Sequence, residues 1–266
     1  MTSASSRHPQ APPSWSYWVA LPAIFLLWWI LAASLKTTLL PDPFQVAQTA
    51  WVEFQRGALT ELLLITLRRV VIAFIFAMTA GISLGVWMGR SRLINALLDP
   101  LLVLFLNLPA LVVIILLYVW FGLIEAAAIL AVVINKVPNV AVTVREGARN
   151  LDVRLEQMAR VYHFSRWQCA RHVIWPQLFP YVMAATRGGF ALIWKIVLVV
   201  ELLGRSDGIG FQLHMAFQVF DVSTILAYSL AFVLVVQLVE LLVLQPLERY
   251  SYRWRLQETH HVNAES

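Results

Sequence analysis

The chain has 266 residues, 60% of them hydrophobic and 13% charged, with a mean hydropathy of +0.72 and eleven tryptophans; soluble domains carry roughly 25% charged residues, so the composition excludes one and indicates a polytopic membrane protein. The formal charge of +5 does not point to nucleic acid, because the basic residues punctuate apolar runs and form no phosphate-tracking stripe. The one cysteine, Cys169, excludes an intrachain disulfide.

Residues 1–14 are polar and rich in Pro and Ser, which predicts a disordered inner tail. Apolar runs near the roughly 20 residues that a bilayer-crossing helix needs follow at 16–35, 67–88, 101–121, 125–144, 181–203 and 222–244, so an all-α integral membrane fold with six transmembrane helices is expected. The first run is long for a signal-peptide core and Ala32-Ala33-Ser34 is a poor cleavage site, which predicts an uncleaved helix. Residues 15–59 hold that helix and an outer interfacial helix, whose apolar stripe is Phe44, Ala47, Trp51 and Phe54 after Pro41-Asp42-Pro43. Residues 60–250 form the main transmembrane domain, with a polar inner loop over 145–176, and residues 251–266 form a second polar tail.

Within that domain Gly81, Gly85 and Gly89 share one helix face and permit close approach of another backbone. Asp99-Pro100 reads as an N-cap and first-turn proline starting the third span. Pro109 should bend that span, with Asn107 near enough to satisfy a freed group, and Pro138 should bend the fourth. Near the far end Tyr250, Tyr252 and Trp254 alternate with Arg249, Arg253 and Arg255, the pattern of a headgroup anchor.

With the N-terminus inside, twelve arginines (7, 90, 92, 145, 149, 154, 160, 166, 171, 249, 253 and 255) fall on the inner side, against Lys36, Arg56, Arg68, Arg69 and Arg205 outside, which predicts both termini inside. Lys136, Arg187 and Lys195 lie within spans. A cation near mid-span costs roughly 2.5–3.5 kcal/mol on insertion scales, so Lys136 and Lys195 should meet water, a carboxylate or a bent helix. Glu125, Glu201 and Glu240 are the acids available. Two readings stand: the two lysines give a translocation route a positive potential suited to an anion, or they make a structural charge pair or a hydrogen bond to a bent helix. Arg187 lies nearer the inner end, where it can snorkel.

No GxxxxGK[ST] occurs, so the chain has no phosphate-binding loop of its own. HExxH, CxxC and GxSxG are also absent, and His163, Cys169 and His172 lack a fourth metal ligand. No catalytic site, metal or cofactor is expected in this chain.

The inner loop carries the most information. Leu151, Leu155, Met158 and Tyr162 recur at helical spacing, and Ser165-Arg166-Trp167-Gln168 fits a capping box, so a helical hairpin is predicted whose second helix runs to about His172, before Trp175-Pro176. A hairpin this polar cannot enter the bilayer; it either packs on the headgroups or docks a soluble partner, and the second explains both its length and its polarity better.

Gln157-Met158-Ala159, His163, Val173 and Trp175-Pro176 keep the spacing of the motif E-A-A-x3-G-x9-I-x-L-P, and in this the chain resembles the inner-membrane permeases of binding-protein-dependent ABC importers. Arg145-Glu146-Gly147-Ala148-Arg149, Gly81-Ile82-Ser83-Leu84-Gly85, Trp120-Phe121-Gly122 and Trp194 through Glu201 resemble the nitrate/sulfonate/taurine branch. The resemblance implies a type I importer permease in the bacterial inner membrane. It implies a second permease copy or a sister permease, a cytoplasmic ABC ATPase dimer that binds ATP and Mg, and a periplasmic or lipid-anchored solute-binding protein. The resemblance assigns coupling to Glu156, Gln157, Ala159, Arg160, His163, Ser165 and Arg166, and the translocation path to Asn107, Lys136 and Lys195. Gln157 replaces the motif glutamate, His163 the glycine and Trp175 the leucine, so the coupling turn differs in detail or Glu156 supplies the carboxylate from the neighbouring position. The alternative is a secondary transporter using intramembrane Lys and Glu; it predicts an inverted repeat between the halves, and the sequence shows none.

Overall fold

The computed structural model of the protein describes residues 15–35, 37 and 39–246. Both expected tails, the aromatic-arginine anchor around 249–255 and Lys36 lie outside the described residues. Eleven α-helices are described: α1 (Trp15–Leu35), α2 (Pro43–Gln55), α3 (Ala58–Arg90), α4 (Arg92–Asn107), α5 (Ala110–Phe121), α6 (Glu125–Arg149), α7 (Val153–Val161), α8 (Arg166–Cys169), α9 (Trp175–Gly204), α10 (Ile209–Gln218) and α11 (Val222–Val239). The protein is all-α among the described residues. Four stretches are long and apolar enough to cross a membrane: Ala58–Arg90, Glu125–Arg149, Arg166–Gly204 and Val222–Leu244. The pair α4 and α5 makes a broken fifth, and the apolar part of α1, Pro22–Leu35, is shorter than these, so four or five spans are described where six were expected.

Polar caps start several of these helices. The Asp42 carboxylate accepts from the Gln45 N–H at 2.8 Å, with Pro43 in the first turn of α2. Asp221 accepts from the N–H and hydroxyl of Thr224 at 3.1 and 2.7 Å at the start of α11. α2 turns Phe44, Trp51 and Phe54 outward. Its opposite side is tied to α11 by Tyr228 donating to Glu53 at 2.9 Å and by the 3.0 Å Thr49–Ser223 hydroxyl pair.

The core is the packing of α3, α6 and α9, joined by α5 and α11. The glycine face of α3 lies directly on α6. A Cβ at Gly81 would sit 2.6 Å from Val140 Cβ, one at Gly85 2.7 Å from the Ala141 carbonyl, and one at Gly89 2.5 Å from Ala148 Cβ. Backbones this close gain dispersion contacts, which drive association where apolar burial from water cannot.

Two local expectations need correction. Asp99-Pro100 does not start a helix: the Ser91 hydroxyl accepts from the Ile94 N–H at 3.3 Å and α4 begins at Arg92, running through Pro100. Asp99 is engaged by the Arg145 guanidinium of α6, so its carboxylate serves a tertiary contact. The bend expected at Pro109 is present and goes as far as a break, with α4 and α5 at 99°. Asn107 donates to the Val103 carbonyl at 2.8 Å, within its own helix.

The second hairpin helix also does not stop before Trp175-Pro176. α8 opens with the expected reciprocal box between Ser165 and Gln168, then passes through a π-helical turn at Ala170–Ile174 into α9, giving one apolar helix over Arg166–Gly204. Proline lacks an N–H and its ring clashes with the carbonyl four residues back. The wider π turn, in which the Trp175 N–H reaches the Ala170 carbonyl, accommodates Pro176 without ending the helix.

Candidate functional site

The hairpin between α6 and α9 is built from its caps upward. The Asp152 carboxylate accepts from the Arg154 N–H at 2.8 Å to start α7, and the Asp152 N–H donates to Gln177 Oε1 at 2.8 Å, fastening the cap to the base of α9. At the far end of α7 the Phe164 N–H reaches the Ala159 carbonyl at 2.9 Å and the His163 N–H the Arg160 carbonyl at 3.0 Å. These paired bonds form a Schellman stop, which needs a left-handed residue at the position after the cap. His163 fills it with φ +54°. The glycine of the motif has its physical reason here, and histidine is among the side chains that tolerate the conformation.

Of the predicted coupling residues, Gln157, Arg160, His163, Ser165 and Arg166 are exposed. Ala159 is buried. Glu156 turns the other way: its carboxylate pairs with the Arg90 guanidinium at the end of α3, one of the two hydrogen bonds measuring 3.3 Å. Val153, Met158, Val161, Tyr162 and Trp167 add apolar surface to the exposed side. Exposed apolar side chains interspersed with exposed Arg154, Arg160 and Arg166 are suited to a protein partner.

The predicted path residues are spread over three places. Lys136 is buried between α6 and α9 and donates to the Gly188 carbonyl at 3.2 Å. Lys195 is exposed on α9, its ammonium 5.4 Å from the centre of the Trp194 ring. Asn107 is exposed at the α4/α5 break, and Arg187 is exposed on α9. Among the described residues, neither lysine forms an ion pair. Two of the acids considered for them, Glu125 and Glu201, are held elsewhere.

What holds them is Arg69, a residue that sequence reasoning treated only as an outer positive charge. It is buried, and every face of its guanidinium is used: Nε and Nη2 donate to the two oxygens of Glu125, each at 2.8 Å, and Nη1 donates to Glu201 at 2.8 Å and to the Asp207 carbonyl at 3.0 Å. Nη2 also reaches the Asp207 carboxylate at 2.5 Å. Glu201, itself fully buried, accepts further from the Thr66 hydroxyl and the Gly210 N–H, both at 2.9 Å. Arg205 adds a contact to Glu125 at 3.1 Å and donates to the Leu123 carbonyl at 2.7 Å. A buried charge is tolerable only when paired and hydrogen-bonded, and this cluster meets both conditions. It binds α3, α6, α9 and the α9–α10 link at the end opposite the hairpin. The available signal was the Arg68-Arg69 pair at the edge of an apolar run, with unassigned acids elsewhere in the chain.

Residues 57–245 match the family described as binding-protein-dependent transport system inner membrane component. The putative aliphatic sulfonates transport permease protein SsuC of Escherichia coli K12 is 31% identical over 237 residues, covering 88% of this chain and 90% of that protein. The taurine transport system permease protein TauC of the same organism is 27% identical, covering 88% and 87%. Among solved structures, a chain of the inward-facing methionine ABC transporter MetNI superposes with a TM-score of 0.63 at 16% identity, over 75% of this chain and 98% of that one, a likeness of fold alone. The motif spacing, the hairpin geometry and these matches agree: the chain belongs to the binding-protein-dependent transport system inner membrane components, in their nitrate, sulfonate and taurine branch.

Proposed function

We propose that this ABC importer permease carries a small anionic solute, of the sulfonate, taurine or nitrate class, inward across the bacterial inner membrane. Both termini face the cytoplasm, the hairpin around α7 with them, and the Arg69 cluster faces the periplasm. Two permease subunits, either two copies of this chain or this chain and a sister, enclose the path. A periplasmic or lipid-anchored binding protein delivers the solute. A cytoplasmic ATPase dimer binds ATP and Mg and docks on the hairpins, so that its closure rotates the subunits as rigid bodies and alternates access. The observation that carries the reading is the α7 hairpin, a family motif folded into an exposed, capped docking surface in a chain without a phosphate-binding loop.

Coupling falls to Gln157, Arg160, His163, Ser165 and Arg166 on the exposed side, with Ala159 and Glu156 seating the hairpin. Lys195, with Asn107, lines the path, and Lys136 supports it from behind by holding the Gly188 carbonyl. An exposed cation near mid-span is costly against lipid and favourable beside a passing anion. The test is uptake of radiolabelled taurine, ethanesulfonate and nitrate by the reconstituted complex. ATP-dependent uptake of at least one is expected, and Lys195→Ala should reduce it while leaving complex assembly intact. Uptake of none, or uptake unchanged in the variant, would contradict the anion reading.

A further inference from the structure

Among the described residues, one side chain of α7 makes a hydrogen bond or ion pair to a membrane-spanning helix: Glu156, to Arg90. A second hydrogen bond, from the Asp152 N–H to Gln177, ties the hairpin to the base of α9, with which it is continuous. Arg90 is the last residue of α3. The pair is half-shielded, with Glu156 18% and Arg90 38% exposed.

α3 differs from its neighbours in stiffness. It runs 33 residues without an internal proline. In contrast α6 contains Pro138, α9 contains Pro180 above a π turn, α11 ends in a π turn, and α4 and α5 are broken apart. Prolines and π turns are the usual sites at which helices kink, so α3 is the segment that transmits axial movement with least loss. Its near turns press on α6 at Gly89, Gly85 and Gly81. About 30 Å further along the axis, at 1.5 Å per residue, Arg69 locks it to α6, α9 and the α9–α10 link.

The geometry points to Arg90 as a positioning residue of the transport cycle: it hands movement of α7 to α3, which carries it as a strut to the Arg69 cluster. The inference rests on the reading that an ATPase docks on α7, and the test separates the two. The complex is purified with its ATPase from a Cys169→Ser background bearing Leu64→Cys, a site 62% exposed near the far end of α3, labelled with an environment-sensitive fluorophore. The readout is the change in fluorescence when Mg-ATP and vanadate are added. The unreversed complex should respond. Arg90→Glu and Glu156→Arg, each alone, should retain the ATPase but lower the response roughly threefold to tenfold, the scale of losses along a coupling route. The double reversal should restore it. No response in the unreversed complex, an undiminished response in both single reversals, loss of the ATPase from them, or no rescue in the double overturns the strut. Absence of any ATPase before reversal overturns the function proposed above instead.

Discussion

Arg69 shows how one side chain can organise a membrane protein. Its donors satisfy Glu125, Glu201 and Asp207 together, so removing it leaves the fully buried Glu201 without its counter-charge. Breaking a buried pair from one side typically costs about 3–5 kcal/mol. Arg69→Met should therefore lower stability by about that amount in denaturant unfolding of the detergent-solubilised protein, and Arg69→Met with Glu201→Gln should recover part of it. Equal losses in the single and double variants would show that the cluster is not held by charge. His163 presents a milder case. A non-glycine residue in the left-handed region costs on the order of 1–3 kcal/mol, so His163→Gly should leave the hairpin at least as resistant to limited proteolysis, and His163→Val should expose it. Little of the Arg69 cluster was legible in the sequence, because its partners lie far along the chain and no local spacing joins them. The same rule that flagged Lys136 and Lys195, that a charge in an apolar run needs a partner, applied to Arg69 as well. There the inner-outer count of basic residues had already supplied a sufficient-looking reason.

At the scale of elements, glycines set the approach of α3 to α6 and prolines set where helices give way. A leucine at Gly85 would drive its side chain into the Ala141 carbonyl and Val144, and overpacking of this kind costs about 1–3 kcal/mol. Gly85→Leu should lower yield and thermal stability in detergent. Gly188→Ala should change neither, since a Cβ there meets nothing within 4 Å. The runs of apolar residues made most spans readable in advance, and the capping pattern Ser165 to Gln168 made the start of α8 readable. The proline signals were read with less success. Pro100 lies inside a helix, Pro109 breaks one and Pro176 is carried through a π turn. A proline removes one hydrogen bond wherever it falls, and whether the helix continues, bends or breaks depends on what the neighbouring helices hold in place. That information is tertiary.

For the whole molecule, two fastened ends stand apart: an exposed hairpin at one and a charge cluster at the other, joined by α3. The hairpin was the most legible part of the chain, since its motif spacing, its cap residues and the exposed Gln157 and Arg160 could all be read locally. What spacing alone did not reveal was that Glu156 turns inward to Arg90, leaving Gln157, Arg160 and the apolar Met158 and Val161 exposed. The central claim is that a separate ATPase drives this permease through the exposed face of the hairpin. The most direct measurement is a mild-detergent pull-down of the tagged chain from its native membranes, with mass spectrometry of what stays bound, beside a Met158→Asp, Val161→Asp variant that places two carboxylates on the face without touching its caps. An ABC ATPase retained by the unaltered chain and lost from the variant is the predicted result. A chain that reproducibly brings no ATPase, under conditions that preserve known transporter complexes, would contradict the account.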